Sequence, residues 1–159
     1  MALAKGTNSY ATVSEADSYF EDRLDVAAWT SANATQKAQA LITATTLLND
    51  LNWTGVAVSD SQALAFPRVG SYFDPRLGME VILSDTLVPN RVINASYELA
   101  YHLLNNDGLL DDTGSVENLS LGSINLENIV GANKIPSNVK RLIKPLQENS
   151  GSHFWWRAN

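Results

Sequence analysis

The sequence contains no cysteine. This absence excludes disulfides, thiolate metal sites and a cysteine nucleophile, and it indicates a protein made and used in a reducing compartment. No stretch approaches the roughly 18 consecutive apolar residues of a membrane span. The first residues, "MALAKGTNSYATVSEAD", also lack the apolar core of a signal peptide. We therefore expect synthesis in the cytoplasm and no membrane contact.

Residues with catalytic chemistry are scarce. The two histidines, His102 and His153, lie far apart in the sequence, and no phosphate-binding glycine loop or nucleophile motif is present. Asp107, Asp111 and Asp112 resemble the start of a calcium loop, but the ligand that should follow and the closing glutamate are missing. We expect no enzymatic activity, no metal site and no cofactor.

The net charge of −6 conceals an asymmetry. Residues 134–159 carry a balance of +4, so the rest of the chain carries −10. Most of such a surface would repel a polyanion such as DNA. The basic end would instead be attracted to an acidic partner, for example another copy of the same chain.

Length and periodicity predict one mainly α-helical domain. The pattern "TVSE" from Thr12 is a capping box that opens a helix over about 13–24, with Ala16, Phe20 and Leu24 on one face. Further helical patterns occupy "NATQKAQALITATTLLNDLNW", the stretch that follows Pro89, and a short stretch that follows Pro136. The predicted fold is a small helical bundle of about four helices with a loop or β-hairpin insertion and an extended C-terminal arm.

The predicted helix after Pro89 has a clear polar stripe. Its apolar residues recur at the spacing of a buried helical face, whereas the following residues are expected to face solvent: Arg91, Asn94, Glu98, His102 and Asn105.

Two other segments complete the predicted organisation. Residues 53–88 lack helical periodicity and hold three glycines and two prolines, and one short strand around "MEVIL" is expected as an arm of a hairpin. The segment 115–133 is compatible with a hairpin or an extended arm. We expect a helical domain over 1–145 and a flexible aromatic and basic tail over 146–159.

The tail combines aromatic and cationic side chains. Such a set can dock into a protein partner or stack on single-stranded DNA. Docking is favoured, because one short basic segment on an acidic body is a poor nucleic-acid footprint. The alternative is that the tail folds back on its own domain. The residues concerned, with the basic side of the last helix, are Lys140, Arg141, Lys144, Phe154, Trp155, Trp156 and Arg157.

Several motifs in order resemble a family of small tailed-bacteriophage virion proteins that are labelled DnaT-like single-stranded-DNA-binding proteins and are similar to head–tail connector (adaptor) proteins. The resemblance covers about residues 8–101. It rests on "NSYATVSEADSYF", "KAQALITATTLLNDLNWTG", "QALAFPR" and "VPNRVINASYELA". The signature residues within these motifs, expected to be structural, are Tyr10, Trp53, Phe66, Pro67, Pro89, Glu98 and Leu99.

The resemblance implies a structural virion protein that forms a ring of twelve copies beneath the portal of a capsid. The ring would join the portal to the tail or to the next ring, and DNA would pass through its channel without tight binding. The same resemblance implies, as the alternative, a replication accessory that coats single-stranded DNA. The acidic overall charge favours the ring, since a coating protein needs a cationic groove.

Arg68 follows Phe66 and Pro67 and allows two interpretations. It either bridges neighbouring subunits of the ring or pairs with a carboxylate of its own domain. For Phe66 and Pro67 we expect a loop folded on its own domain, with Phe66 in the core.

Overall fold

The computed structural model describes residues 2–106, 118–121, 124–127 and 135–148. Within these ranges the chain forms five α-helices, six short strands and a terminal 3₁₀ turn, Lys144–Leu146. The helices are α1 Val13–Glu21, α2 Ala27–Ser31, α3 Ala34–Asn49, α4 Asn90–Asn105 and α5 Ser137–Ile143. The strands are β1 Val56–Ala57, β2 Arg68–Val69, β3 Ser71–Asp74, β4 Met79–Ile82, β5 Asn118–Leu121 and β6 Ile124–Glu127.

The domain is a small mixed α/β unit, so the prediction of a helical bundle is wrong. The strands pair antiparallel as β1–β2, β3–β4 and β5–β6. The physical reason is that the stretch between α3 and α4, predicted as a loop or a β-hairpin insertion, folds into two antiparallel strand pairs beside the helices. Gly78, at φ +68°, lies in the turn that reverses the chain between β3 and β4. The strand expected around "MEVIL" is β4.

Side-chain caps fix where the first long helices begin. Thr12 and Glu15 form the expected capping box, and Asn33 with Gln36 forms a second one at the start of α3. Helix α1 ends at Glu21, and Leu24, expected on its buried face, is 91% exposed. The chain leaves the helix too early for Leu24 to reach the core.

Helices α3, α4 and α5 enclose the core. Helix α4 lies between the other two and contacts both of them. It places Val92, Ala95, Leu99 and Leu103 inside, as its apolar periodicity predicts. The buried residues that α5 contributes are Val139 and Ile143.

Two of the family-signature residues, Trp53 and Phe66, pack ring against ring beside α3, and a third, Tyr10, is hydrogen-bonded to that helix. Trp53 meets the edge of Phe66 at 5.0 Å between ring centroids, and its indole N–H donates to the Leu48 carbonyl at 2.9 Å. The Tyr10 hydroxyl donates to Asn49 Oδ1 at 2.6 Å. All three rings are buried, so their role in this chain is structural.

The remaining signature positions also serve the fold. Pro89 occupies the N-cap of α4, one residue before the position expected for it, and Leu99 is fully buried. The peptide bond from Phe66 to Pro67 is cis.

The first two hairpins adjoin at a close glycine contact. A Cβ at Gly55, which has φ +74°, would lie 2.4 Å from the Val69 carbonyl oxygen, so no other residue fits there without movement. The amide of Leu83 donates to the Gly70 carbonyl at 2.8 Å. These contacts join the β1–β2 and β3–β4 pairs into one hairpin layer beside the helices.

Arg68 binds the loop that carries these hairpins. Its guanidinium donates to the carbonyls of Thr54 at 2.9 Å and Gly55 at 2.6 Å, and more weakly to those of Trp53 and Ala65. Its partners among the described residues are main-chain carbonyls, and none of the described carboxylates pairs with it, so the alternative of a local carboxylate finds no support there. The proposed bridge to another subunit stays a prediction.

Replacement of Arg68 by alanine should lower the free energy of unfolding by about 2–4 kcal/mol, since several carbonyls of one loop lose a charged donor. Urea unfolding of the purified protein measures this loss. Arg68→Lys is the control: it keeps the charge but not the forked donor geometry, so it should recover only part of the loss. Equal stability of the alanine variant and the unaltered chain would show that these hydrogen bonds contribute nothing.

Candidate functional site

Two neighbouring clefts lie on either side of Leu142 in α5. The first has a volume of about 350 Å³ and the second about 450 Å³. Helix α4 forms the common wall, because Arg91, Asn94 and Glu98 recur along one stripe that turns towards both clefts. We call them the Glu98 cleft, lined also by Tyr19, Arg23, Asn138 and Arg141, and the Asp74 cleft, lined also by Tyr72, Arg76, Asn90 and Arg91.

Glu98 is the carboxylate on which the first cleft is built. It is only 6% exposed, although its periodicity places it on the polar stripe of α4. Its Oε1 accepts from the Tyr19 hydroxyl at 2.7 Å, and its Oε2 accepts from the Asn138 amide at 2.8 Å. The expectation that Glu98 faces solvent is wrong, because α1 and α5 cover it.

Arg23 supplies the charge that balances Glu98. Its Nη1 lies 3.0 Å from Glu98 Oε2, but out of line for a hydrogen bond, so the contact is an ion pair. The guanidinium also lies over the Tyr101 ring, 4.9 Å from its centroid. Burial, together with the hydrogen bond to Glu98, raises the pKa of Tyr19 to about 12, so this phenol remains a neutral donor.

Asp74 is the buried carboxylate at the centre of the second cleft, as Glu98 is of the first. It is buried and accepts from Arg91 Nη2 at 2.7 Å, from the Arg76 amide at 2.8 Å and from the Tyr72 hydroxyl at 3.2 Å. The hydrogen bond from Arg91 is the largest of the influences that hold the pKa of Asp74 at about 2. The carboxylate is therefore charged throughout the physiological range.

The two clefts concentrate cations in an acidic chain. Four of the six arginines of the sequence line them, and two carboxylates balance two of these four. Arg76 and Arg141 are exposed and form no ion pair with the described part of the chain. Beside them lie the half-buried rings of Tyr19 and Tyr72. Such a surface offers guanidinium donors to anionic oxygens and ring surface to a flat group.

The structure brings together only part of the predicted docking set. Arg141 lines the Glu98 cleft, and Lys140 and Lys144 lie next to it on α5 and the terminal turn. Phe154, Trp155, Trp156 and Arg157 lie outside the described residues.

Sequence reasoning missed most of the cleft residues. The stripe of Arg91, Asn94 and Glu98 was visible as a polar face of α4, but nothing in the local pattern showed that it lies against α5. Arg76 lies in a connection that lacks periodicity, and Arg23 fell inside the predicted helix over 13–24 but follows the end of α1 in the structure. The sequence offered one signal, the residue types: an arginine four positions after a tyrosine, which occurs at Tyr19–Arg23 and again at Tyr72–Arg76.

Other kinds of site find little support in this part of the chain. The described residues contain no group of three or more histidine or acidic side chains that could hold a metal ion. None of the helices that the structure describes is long and apolar enough to cross a membrane.

The fold and the clefts define a small mixed α/β domain with an arginine-lined surface. The sequence model of the family described as "Putative DnaT-like ssDNA binding protein" matches residues 2–158 of the chain. This protein belongs to that family. No curated protein and no solved structure matches it. The family that the motifs resembled is therefore shown, whereas the head–tail connector role receives no support from these matches.

The low pKa of Asp74 makes a prediction about acid stability. Its ordinary pKa is 3.8 and its folded pKa about 2, so ionised Asp74 stabilises the fold above pH 3.8, and this contribution disappears as the pH falls towards 2. The stability difference between the unaltered chain and Asp74→Asn should be largest above pH 4 and should shrink towards pH 2. Urea unfolding over this range measures it.

Asp60→Asn, which changes an exposed carboxylate, is the control for this experiment. Its free energy of unfolding, plotted against pH, should run parallel to that of the unaltered chain. A parallel curve for Asp74→Asn as well would contradict the assignment.

Proposed function

We propose that this protein binds single-stranded DNA through the Glu98 and Asp74 clefts. The observation that carries the proposal is the placement of four arginines and two tyrosines along one surface of a chain whose net charge is −6. The family description supports it. The sequence-based preference for a ring rested on the overall negative charge of the chain. That overall value does not reveal the local surplus of positive charge in the two clefts.

The exposed arginines are the groups that would contact phosphates. Arg141 lines the Glu98 cleft and Arg76 the Asp74 cleft; both are exposed, neither has an ion pair with a described carboxylate, and both could form charge-assisted hydrogen bonds with phosphate oxygens. Arg23 and Arg91 form ion pairs with Glu98 and Asp74. Their role would therefore be to stabilise the geometry of the clefts and to add positive potential.

The tyrosines would provide the contact with bases. Tyr19 and Tyr72 are each held through their hydroxyl by a cleft carboxylate, which fixes the ring at the cleft wall. A base stacked on such a ring gains about 1–3 kcal/mol without regard to its identity. The expected binding is therefore tolerant of sequence and specific for unpaired strands, in which bases are free to stack.

Binding should depend on Arg76 and Arg141 together. In the double variant Arg76→Ala with Arg141→Ala, the affinity for a short single-stranded oligonucleotide should fall about 10–30-fold at physiological salt. The slope of log affinity against log salt should become shallower by about 1.4, because two phosphate contacts are lost at about 0.7 each. Fluorescence anisotropy over a salt series gives both numbers.

A charge-matched control separates contact from general repulsion. Thr35→Glu with Thr43→Glu makes the same change in net charge on the exposed surface of α3. It should lower affinity far less and leave the salt slope as it was. Equal effects of the two double variants would contradict the cleft assignment, and absence of binding by the unaltered protein would contradict the function.

The acidic surface outside the clefts favours a second candidate function, the virion ring between portal and tail. Exposed carboxylates include Glu21, Asp22, Asp50, Asp60 and Asp85. A channel lined by such groups would let double-stranded DNA pass without sticking. This candidate keeps the portal and the next ring protein as partners and the virion as location.

Mass in solution distinguishes the two candidates. The ring candidate predicts a closed assembly, twelve chains of 17.3 kDa if the resemblance holds, whose mass is unchanged by single-stranded DNA at physiological salt. The DNA-binding proposal predicts a species whose mass rises when the oligonucleotide is added. Multi-angle light scattering before and after addition measures both.

A further inference from the structure

We propose that residues 149–159 cover an exposed apolar surface of their own molecule, formed by the hairpins β1–β2 and β3–β4. This inference does not depend on DNA binding. The hairpin surface, as we define it, consists of Val56, Val69, Phe73 and Ile82. Their exposed fractions range from 52% for Val69 to 83% for Ile82.

The register of the strands places these side chains in pairs. Val56 lies directly opposite Val69, so both point to the same side of β1–β2. In β3–β4, Phe73 and Ile82 share one side, since their partners are Glu80 and Ser71. Scattered apolar residues on a surface need no explanation, but a group of large ones on adjoining hairpins indicates a contact surface.

The described chain ends beside this surface. The amide of Thr54 donates to the Leu146 carbonyl at 2.9 Å, Gln147 forms a β-bridge with Trp53, and the amide of Glu148 donates to the Asn52 carbonyl at 3.2 Å. Val56 is four residues beyond Asn52 and so lies within about 14 Å of it. Glu148, hydrogen-bonded to Asn52, therefore lies within a few residues' reach of the first apolar pair.

The segment has enough length to reach the hairpin surface. Trp155 and Trp156 lie seven and eight residues beyond Glu148, which at full extension spans roughly 23–26 Å. A short tether of this kind gives an effective concentration in the millimolar range. At micromolar protein, the molecule's own segment therefore outcompetes that of a second copy.

The chemistry of segment and surface is complementary. Phe154, Trp155 and Trp156 would bury large apolar area against the valines, Phe73 and Ile82. Arg157 would meet the carboxylates around the hairpins, among which Asp60, Glu80 and Asp85 are exposed. The aromatic residues thus find burial within the domain that carries them.

A cysteine pair tests the contact directly, because the chain has no cysteine of its own. Ile82→Cys with Ala158→Cys should form an intramolecular disulfide under mild oxidation at micromolar protein, at least tenfold faster than the control Thr43→Cys with Ala158→Cys. Thr43 is exposed on α3, so its pair reports chance encounters. Non-reducing electrophoresis and mass spectrometry separate intramolecular from intermolecular products.

Two outcomes would overturn the proposal. Equal rates for the two pairs would show that the segment does not prefer the hairpins. Disulfide-linked dimers as the main product would assign the surface to a second copy. In the Ile82 pair, additional Trp155→Ser and Trp156→Ser substitutions should reduce the rate to the control level, and an unchanged rate would show that the tryptophans do not drive the contact.

Discussion

The burial of the Glu98 carboxylate is the constraint on which the cleft side of the domain depends. A charge removed from water requires partners, and here they come from three separate parts of the chain: Tyr19 of α1, Arg23 after it, and Asn138 of α5. Removal of one partner from such a site typically costs about 3–5 kcal/mol. The carboxylate therefore fixes the positions of α1 and α5 relative to α4, and with them the cleft that holds Arg141.

The same packing explains how an acidic protein can present a cationic surface. The carboxylates Glu98 and Asp74 form ion pairs with Arg23 and Arg91. The other two cleft arginines, Arg76 and Arg141, remain as exposed charges. At physiological salt, electrostatic fields decay over about 8 Å, so a strand bound as proposed would be screened from carboxylates on distant faces. The acidic body would then confine DNA to the cleft surface instead of allowing it to wrap the domain.

Sequence patterns identified the elements with local causes but not those that depend on distant contacts. The capping boxes at Thr12 and Asn33 and the apolar stripe of α4 are properties of consecutive residues, and the structure confirms them. A hairpin was predicted as one alternative for the stretch between α3 and α4, with a strand around "MEVIL" that the structure has as β4, but the strands β1, β2 and β3 were not predicted because two to four residues carry too little periodicity. Glu98 was misplaced for a related reason: a polar residue on a polar stripe looks exposed until a helix some forty residues later covers it.

One short element connects the clefts with the hairpin surface. Helix α5 and the turn after it are anchored by Val139, Ile143 and Leu146, all fully buried. At the start of this element Asn138 donates to Glu98, further along it Leu142 lies between the clefts, and at its end Leu146 and Gln147 attach to the chain just before β1. The position of Glu148, the last described residue, is therefore set by the same packing that shapes the clefts. A polar surface with exposed arginines and an apolar surface can coexist on one small domain because successive residues of β3 face opposite sides: Tyr72 and Asp74 line the cleft, whereas Phe73 is exposed on the other side.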